Sequence, residues 1–335
     1  MTAGQAWMRI DRDACASRIA HEINKLSAPP FTSGADGVTR YAFTEPYMLT
    51  LRYLSEQLRA LGFTVKLDPV GNLIARNRPP SAAAIGLGSH CDSVRGGGSY
   101  DGALGVVAAI EVARLAHEQG CDLPLQVISW VEEEASGFGQ LLLGSRLATG
   151  RIDERELRTE VRALDDGRPF FDHAREAGLE PERASEASGA LDNLTAWIEL
   201  HIEQGRVLED AGEQLGVVEA IAGYVHADIE IFGQADHAGA TPMGLRRDAA
   251  IVAAEFMLEV ERLAIKDSHS RTYGLERVAG RWHSVSCGRR RWGAGRGPVG
   301  VQRREAIGAS ECAAQPRARG RDLSSRRLDV CHERA

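Results

Sequence analysis

Lysine, paired cysteines and long apolar runs are scarce or missing in this chain. Only Lys25, Lys66 and Lys266 occur among its 40 basic residues. No stretch approaches the length of a membrane span, so we expect no membrane partner. The six cysteines lack the spacing of a disulfide scaffold or a zinc ribbon. Charged residues interrupt the segment 1–20 where a signal peptide would need an apolar core, so we expect a cytoplasmic protein.

The C-terminal segment 277–335 lacks any regular pattern. It contains fourteen arginines and five acidic residues but no Lys, Phe, Tyr or Met. Its net charge is therefore near +9, and the rest of the chain carries about −16 of the total of −7. Three interpretations apply: a basic arm for nucleic acid, a natural disordered tail, and the product of a frameshifted gene. The segment has no aromatic interleaving and no hydrophobic periodicity, which favours the third, and we expect no nucleic-acid partner.

The patterns before that segment indicate an α/β fold. The residues Pro46–Leu61 show an apolar helical stripe, and Thr64–Leu67 resembles a strand. Such alternation predicts a mostly parallel sheet with helices on both faces. The stretch 164–190 is rich in Pro, Arg and Glu, so we expect a solvated excursion there.

The pattern changes again near residue 210, which predicts a second domain. Val225–Phe232 alternates like a half-exposed strand, and Asp248–Leu263 carries a helical apolar stripe. We therefore expect a catalytic domain over 1–210, a partial α+β lid over 211–275, and a non-native or disordered tail over 276–335.

Histidine and carboxylate side chains follow three strand-like segments. Open α/β sheets place their ligands at the carboxyl ends of the strands, so these side chains are expected to converge. Imidazole and carboxylate together bind borderline divalent ions, and a hydrolase also needs a carboxylate to accept a proton from water. The segments and the residues that follow them are Ala82–Gly88 with His90, Leu125–Val131 with Glu132, Glu133 and Glu134, and Trp197–Leu200 with His201.

Two of these features also have a purely structural interpretation. Asp101 precedes the helix-like run Ala103–Ala116, where a carboxylate can serve as an N-cap. The three acids at 132–134 can form a solvated loop, as charge runs usually do. Both interpretations stay open at this point.

Four segments resemble the hydantoinase/carbamoylase branch of the M20 metallopeptidase-like family. They are G-S-H-C-D-S-V at 88–94, E-E-E-A-S-G-F-G at 132–139, L-H-I-E-Q-G at 200–205 and A-D-H-A-G-A-T-P-M at 235–243. G-V-T-R at 37–40 and G-N-L at 71–73 fit the same branch, and H-I-E-Q-G separates it from ordinary M20 peptidases. The resemblance implies a di-metal exopeptidase-like fold, a homodimer, and hydrolysis of the C–N bond of a small N-carbamoyl or ureido substrate, such as an N-carbamoyl-L-amino acid or allantoate.

The resemblance also implies two divalent metal ions, each Zn, Mn, Ni or Co. His90, Asp101 and His201 match the ligands of one ion, and Asp101 would bridge to the second. Glu134 matches a carboxylate ligand of that second ion. Asp92 matches the acid that orients His90.

Three further residues match catalytic or binding positions of the branch. Glu133 matches the general base, Gln204 a substrate-binding residue, and His237 the histidine of the lid that stabilises the oxyanion. The sequence departs from the branch at Ala135 and Gly137, where Gly and Arg are usual.

Members of this branch return to the catalytic domain after the lid. That return supplies the last imidazole of the second metal, and the lid supplies an Asn and an Arg for the substrate carboxylate. Neither segment is recognisable here, so we expect impaired turnover, a doubtful dimer and a single retained metal. An inactive remnant of the branch and an M20-type peptidase or deacylase are the alternatives.

Overall fold

The structure, a computed structural model, describes residues 10–34, 36–219, 221 and 229–266, together with the short strands at 284–285 and 328–330. The chain divides into two compact units, Met1–Gly216 and Val217–Ala335. The predicted limits of the lid stay predictions. The predicted tail lies outside the described residues apart from those two strands.

The first unit alternates helices and strands, as the sequence pattern indicated. Prolines and acids mark several helix starts: Pro46 lies in the first turn of the second helix, and Asp11 accepts a hydrogen bond from the Ala14 N–H at the start of the first. The elements are α1 (Arg12–Leu26), α2 (Glu45–Ala60), β1 (Thr64–Leu67), β2 (Leu73–Arg76), β3 (Ala84–His90), α3 (Ala103–Glu118), β4 (Leu125–Trp130), α4 (Leu143–Ala148), α5 (Glu154–Thr159), α6 (Phe170–Glu176), a 3-10 segment (Pro181–Leu191), β5 (Leu194–Ile198) and α7 (Val207–Ala211).

Five strands form one sheet in the order β1-β2-β4-β3-β5. β3 pairs parallel with both β4 and β5, whereas β2 pairs antiparallel with β1 and β4. The predicted α/β class is confirmed, but the sheet is mixed and only half of its pairings are parallel. Only five residues separate β1 from β2, and so short a connection joins neighbouring strands as an antiparallel hairpin.

Apolar side chains cover both faces of this sheet. On β4, Leu125 and Val127 join the larger core, which the apolar sides of α1, α2 and α3 complete. Ile128 and Trp130 point the other way and pack with Ala148 of α4 and the 3-10 segment. Since successive strand residues face opposite sides, this alternation confirms helical cover on both faces.

The stretch 164–190 is not the solvated excursion that its composition suggested. Phe170 and Phe171 are buried, with exposed fractions of 0% and 2%, and Ala174, Ala184 and Ala187 join them in the larger core. Its charged residues pair with one another on the surface, as Arg175 does with Glu182. The prediction failed because the apolar residues are spaced between charges that dominate the local composition.

The second unit is described in parts. Its elements are β6 (Ile229–Ile231), β7 (Asp236–His237), a 3-10 turn (Met243–Leu245), α8 (Ala249–Lys266), β8 (Ser284–Val285) and β9 (Leu328–Val330). β6 pairs antiparallel with β9, and β7 pairs parallel with β8. The predicted helix at 248–263 is present as α8. The predicted strand Val225–Phe232 is present in part as β6, and its first half, 225–228, lies outside the described residues. None of the helices in the described residues is long and apolar enough to cross a membrane.

Candidate metal centre

Three strand ends of the first unit bring the predicted site residues together. His90 is the last residue of β3 and lies beside Trp130, the last residue of β4. The chain then leaves β4 directly into Glu132, Glu133 and Glu134. β5 ends at Ile198, three residues before His201. β5 ends earlier in the chain than predicted, at Ile198 and not at Leu200. His201 therefore reaches the site from a loop and not from the strand itself.

The ligand atoms form two groups that share His90. His90, Asp101 and His201 each present one ligand atom within 4.8 Å of the others, and His90, Glu133 and Glu134 do the same. The His201 Nε2 atom lies 3.3 Å from an Asp101 carboxylate oxygen. The His90 Nε2 atom lies 3.9 Å from the same oxygen and 3.6 Å from Glu133. Glu133, predicted as the base, thus lies among the ligand candidates.

Both imidazoles are oriented so that Nε2 faces the site. The Nδ1 atom of His90 lies 3.0 Å from the carbonyl oxygen of Asp92, and that of His201 lies 2.8 Å from the carbonyl oxygen of Ile202. A carbonyl can only accept, so Nδ1 carries the proton in the neutral ring and Nε2 keeps its lone pair. This is the tautomer that a metal site requires.

Asp92 contacts His90 differently from our expectation. Its backbone carbonyl holds the ring, whereas its carboxylate oxygen Oδ1 stays 3.6 Å from Nδ1. The other oxygen, Oδ2, accepts a hydrogen bond of 3.0 Å from the Glu134 N–H. The buried Asp92 therefore links the end of β3 to the loop that carries Glu133 and Glu134.

Asp101 is not the N-cap of α3. Gly102 occupies that position, and no side-chain capping bond is made. Gly102 has a φ of +60°, and a Cβ atom there would lie 2.4 Å from the His90 ring. Only glycine fits this close approach. It lets the helix start directly against His90, which leaves the Asp101 carboxylate free to face both imidazoles.

Burial and mutual repulsion shift the protonation equilibria of this cluster. Burial lowers the pKa of His90, but Asp92 and the acids at 133 and 134 outweigh this and raise it to about 9. The Asp101 carboxylate, 3.3 Å from the His201 Nε2 atom, raises the pKa of His201 to about 9 as well. Burial, aided by the nearby Asp101, raises the pKa of Glu134 to about 7. An excess of carboxylates around two imidazoles is the charge pattern of a cation site.

Glu132 is a residue to which the sequence analysis assigned no role of its own. It is fully buried, and its Oε1 atom accepts hydrogen bonds from the backbone N–H groups of Gly137 and Phe138. Burial, then the charge of Asp92, raises the pKa of Glu132 to about 8. The interpretation of these acids as a solvated loop is therefore wrong for Glu132. Its carboxylate shapes the turn that presents Glu133 and Glu134.

Asn72, the residue just before β2, supports the same turn. Its Oδ1 atom accepts a 3.0 Å hydrogen bond from the Val131 N–H, and its Nδ2 atom donates to Asp68. Asn72 belongs to the G-N-L segment, so a signal was present in the sequence. Without the fold, that signal could not be linked to the acids at 132–134.

Gln204 and His237 occupy different surroundings. Gln204 donates a 2.7 Å hydrogen bond from Nε2 to the Asp101 Oδ2 atom, so it lies at the site but contacts a ligand candidate. His237 lies in the second unit, where its Nδ1 accepts hydrogen bonds from the N–H groups of Gly239 and Ala240. Their assigned roles stay predictions.

The described residues fit a bound divalent cation. One oxygen of Asp101 is buried without a hydrogen-bond donor and faces two imidazole Nε2 atoms. A buried carboxylate oxygen normally accepts a hydrogen bond. A cation between the ligands explains why this oxygen of Asp101 has no donor. The donor set of imidazole and carboxylate suits Zn, Mn, Co and Ni alike.

Comparisons with known proteins agree with this geometry. A family model described as peptidase family M28 matches residues 72–164, which include His90, Asp101, Glu133 and Glu134. An N-carbamoyl-L-amino-acid amidohydrolase of Paenarthrobacter aurescens is 39% identical over 272 residues, which are 79% of this chain and 65% of that protein. A ureidoglycolate hydrolase of Oryza sativa is 34% identical over 281 residues, which are 82% of this chain and 56% of that protein.

A solved structure shares the fold as well. The crystal structure of a hydantoinase/carbamoylase family amidase from Burkholderia ambifaria matches with a TM-score of 0.60 and 31% identity, over 77% of this chain and 62% of that one. The chain thus spans less than two thirds of the length of these relatives. The predicted resemblance is confirmed: over about three quarters of its length, this chain is similar in sequence and fold to hydantoinase/carbamoylase family amidases.

Proposed function

We propose that this protein is a metal-dependent amidohydrolase that cleaves the C–N bond of a small N-carbamoyl or ureido substrate. The observation that carries this proposal is the pair of ligand groups that share His90 and include a half-buried carboxylate, Glu133. The names of the relatives, an N-carbamoyl-L-amino-acid amidohydrolase and a ureidoglycolate hydrolase, support the same bond type.

His90, Asp101 and His201 would hold one divalent ion, and Asp101 with Glu134 would contribute to a second. Bound there, such an ion supplies a Lewis acid for the substrate carbonyl and lowers the pKa of water. The hydrogen bonds of the two Nδ1 atoms to backbone carbonyls keep the rings aimed at that position.

Glu133 is the proposed general base. Burial raises its pKa, while the nearby His90 opposes that shift. A carboxylate with a raised pKa accepts a proton from water near neutral pH and can return it to the leaving nitrogen. Its Oε2 atom lies 3.6 Å from His90 Nε2, so the base sits beside the ligand that both groups share.

Exposed apolar side chains flank the site and support one substrate class. Tyr100 and Leu142 have exposed fractions of 56% and 45%. Tyr100 precedes Asp101, and the Leu142 N–H donates to the carbonyl oxygen of Glu133. Such a rim suits the apolar side chain of an N-carbamoyl amino acid better than a wholly polar ureido compound such as allantoate.

A reconstitution assay tests the proposal. The metal-free protein receives Zn, Mn, Co or Ni, and ammonia release is followed with N-carbamoyl-L-leucine, N-carbamoylglycine and allantoate. Metal-dependent release that Glu133→Gln abolishes is expected, with N-carbamoyl-L-leucine preferred. Metal binding without any release indicates an inactive remnant, and release only from dipeptides or acylated amino acids indicates a peptidase or deacylase.

Several expectations from the sequence stay predictions. They are the homodimer, the cytoplasmic location and the number of retained metals. Light scattering coupled to gel filtration measures the oligomeric state. Elemental analysis after reconstitution counts the metals per chain.

A further inference from the structure

Arg40 is a buried arginine beside the segment that joins His90 to Asp92. Its exposed fraction is 2%. Its Nε atom donates a 2.5 Å hydrogen bond to the carbonyl oxygen of Cys91. Its Nη1 atom donates to the carbonyl oxygens of Leu26 and Phe31 at 2.9 and 3.0 Å. The guanidinium thus ties two N-terminal segments to the end of β3.

The backbone of Arg40 holds the same segment a second time. Its N–H donates to the Ser93 hydroxyl at 3.0 Å, and its carbonyl oxygen accepts from the Ser93 N–H at 3.1 Å. Arg40 therefore makes one hydrogen bond to Cys91 and two to Ser93, the residues on either side of Asp92. Asp92 is the residue whose carbonyl orients the His90 ring.

Burying an arginine at this position costs free energy. Burial lowers the pKa of Arg40, which reflects the free energy of removing its charge from water. Among the described residues, the hydrogen bonds of its guanidinium go to backbone carbonyl oxygens and none goes to a carboxylate. All of its hydrogen bonds go to neutral groups, and such bonds recover only part of that cost. A neutral side chain could cross-link these loops without the free-energy cost of burying a charge.

We propose that Arg40 is a positioning residue of the metal centre, an inference that rests on the metal-dependent function proposed above. Through Cys91 and Ser93 it fixes the carbonyl of Asp92, and through that carbonyl it fixes the direction of His90 Nε2. Because His90 belongs to both ligand groups, a small rotation of its ring disturbs both. Replacing a residue that orients a metal ligand typically changes metal affinity about 10–100-fold.

Arg76 provides a matched control in the same chain. It is also buried, with an exposed fraction of 8%, and its hydrogen bonds to described residues go to the backbone carbonyls of Pro80, Ala82 and Asp192. It lies opposite Gln126 on β4, about 13 Å along that strand from Trp130, the residue beside His90. Replacing it removes similar interactions at the far end of the sheet.

The experiment compares Arg40→Lys with Arg76→Lys in the full chain loaded with Co²⁺. Cobalt affinity is measured by chelator competition, the ligand geometry by the visible absorption bands of Co²⁺, and stability by thermal unfolding of the metal-free protein. Both variants are expected to unfold at lower temperature. Only Arg40→Lys is expected to weaken cobalt binding about 10–100-fold and to shift the absorption bands.

Each remaining outcome counts against the proposal. Unchanged cobalt affinity and spectrum in a folded Arg40→Lys variant overturns it, as does an equal loss in both variants. Should Arg40→Lys fail to fold, Ser93→Ala loosens the same segment more gently, and unchanged cobalt binding in that variant also overturns the proposal. Failure of the unmodified chain to bind cobalt is a distinct result, because it refutes the metal-dependent function itself and the positioning role with it.

Discussion

The two halves of the site come from strands with opposite surroundings. β3 and β4 lie in the middle of the sheet, where nearly every residue is buried and His90 is 2% exposed. β5 lies at the edge, where no described strand pairs with its outer side. Ile198 is 59% exposed there, and the His201 side chain is 33% exposed.

The two imidazoles of the site differ in how many contacts hold them. His90 is held by Asp92, by the close approach of Gly102 and by the segment that Arg40 anchors. Within the described part of the chain, His201 has one hydrogen bond to its own loop and its contact with Asp101. An open strand edge with exposed apolar side chains is also a site where further chain can pack. We expect mutations on the β3–β4 side to cost more than equivalent ones on the β5 side.

The largest effect is expected at Glu133, on the buried side. Glu133→Gln should lower hydrolysis about 10²–10⁴-fold, the usual contribution of a general base, because an amide does not accept the proton from water. Metal content should stay unchanged. The matched variant Glu134→Gln should instead reduce metal content, measured by elemental analysis. Exchanged phenotypes would place the base one residue further along the chain.

Removal of either imidazole tests the comparison directly. His90→Ala removes a ligand from both groups and should abolish cobalt binding in the micromolar range. His201→Ala leaves His90 and Asp101 of its own group and Glu134 of the other, and should retain weaker binding. His117→Ala, at an exposed position of α3, is the control and should bind like the unmodified chain. Equal losses at His90 and His201 would contradict the asymmetry.

A substitution on β4 should lower the free energy of unfolding more than one on β5. Ile128→Ala creates a cavity under β4 and should lower the free energy of unfolding by about 2–5 kcal/mol. Ile198→Ala on β5 removes a side chain that is mostly exposed, so a change within about 0.5 kcal/mol is expected. Urea titrations of the metal-free variants measure both. A large loss at Ile198 would show that β5 is covered in solution.

The smallest effect is expected for the pH dependence of metal binding. In the metal-free protein the pKa of His90 and that of His201 are each about 9, so both rings are protonated at pH 7. A metal must displace those protons, so its affinity should rise from pH 7 to 9 by up to about tenfold per unit for each proton released, and level off above. Calorimetry in buffers of different ionisation enthalpy counts the protons. Affinity independent of pH in this range would argue against imidazole ligands.

Residue types and their order along the chain predicted most of the site. His90, Asp101, His201 and the acids at 133 and 134 converge as strand-end chemistry indicated. The helices and strands around them lie within a few residues of their predicted positions, because hydrophobic periodicity is a local property. The exceptions are instructive: Asp101 is not a cap, and the stretch 164–190 is part of the core.

What the sequence by itself determined is therefore the chemistry: which groups are available, and which strand ends carry them. The tertiary structure decided which of these groups are buried, which carbonyls orient the imidazoles, and that Arg40, Asn72 and Glu132 support the site. It also decided that the sheet is mixed. The physical reason is that burial and hydrogen-bond partners depend on residues distant in sequence, such as Arg40 and Cys91, which no local pattern connects.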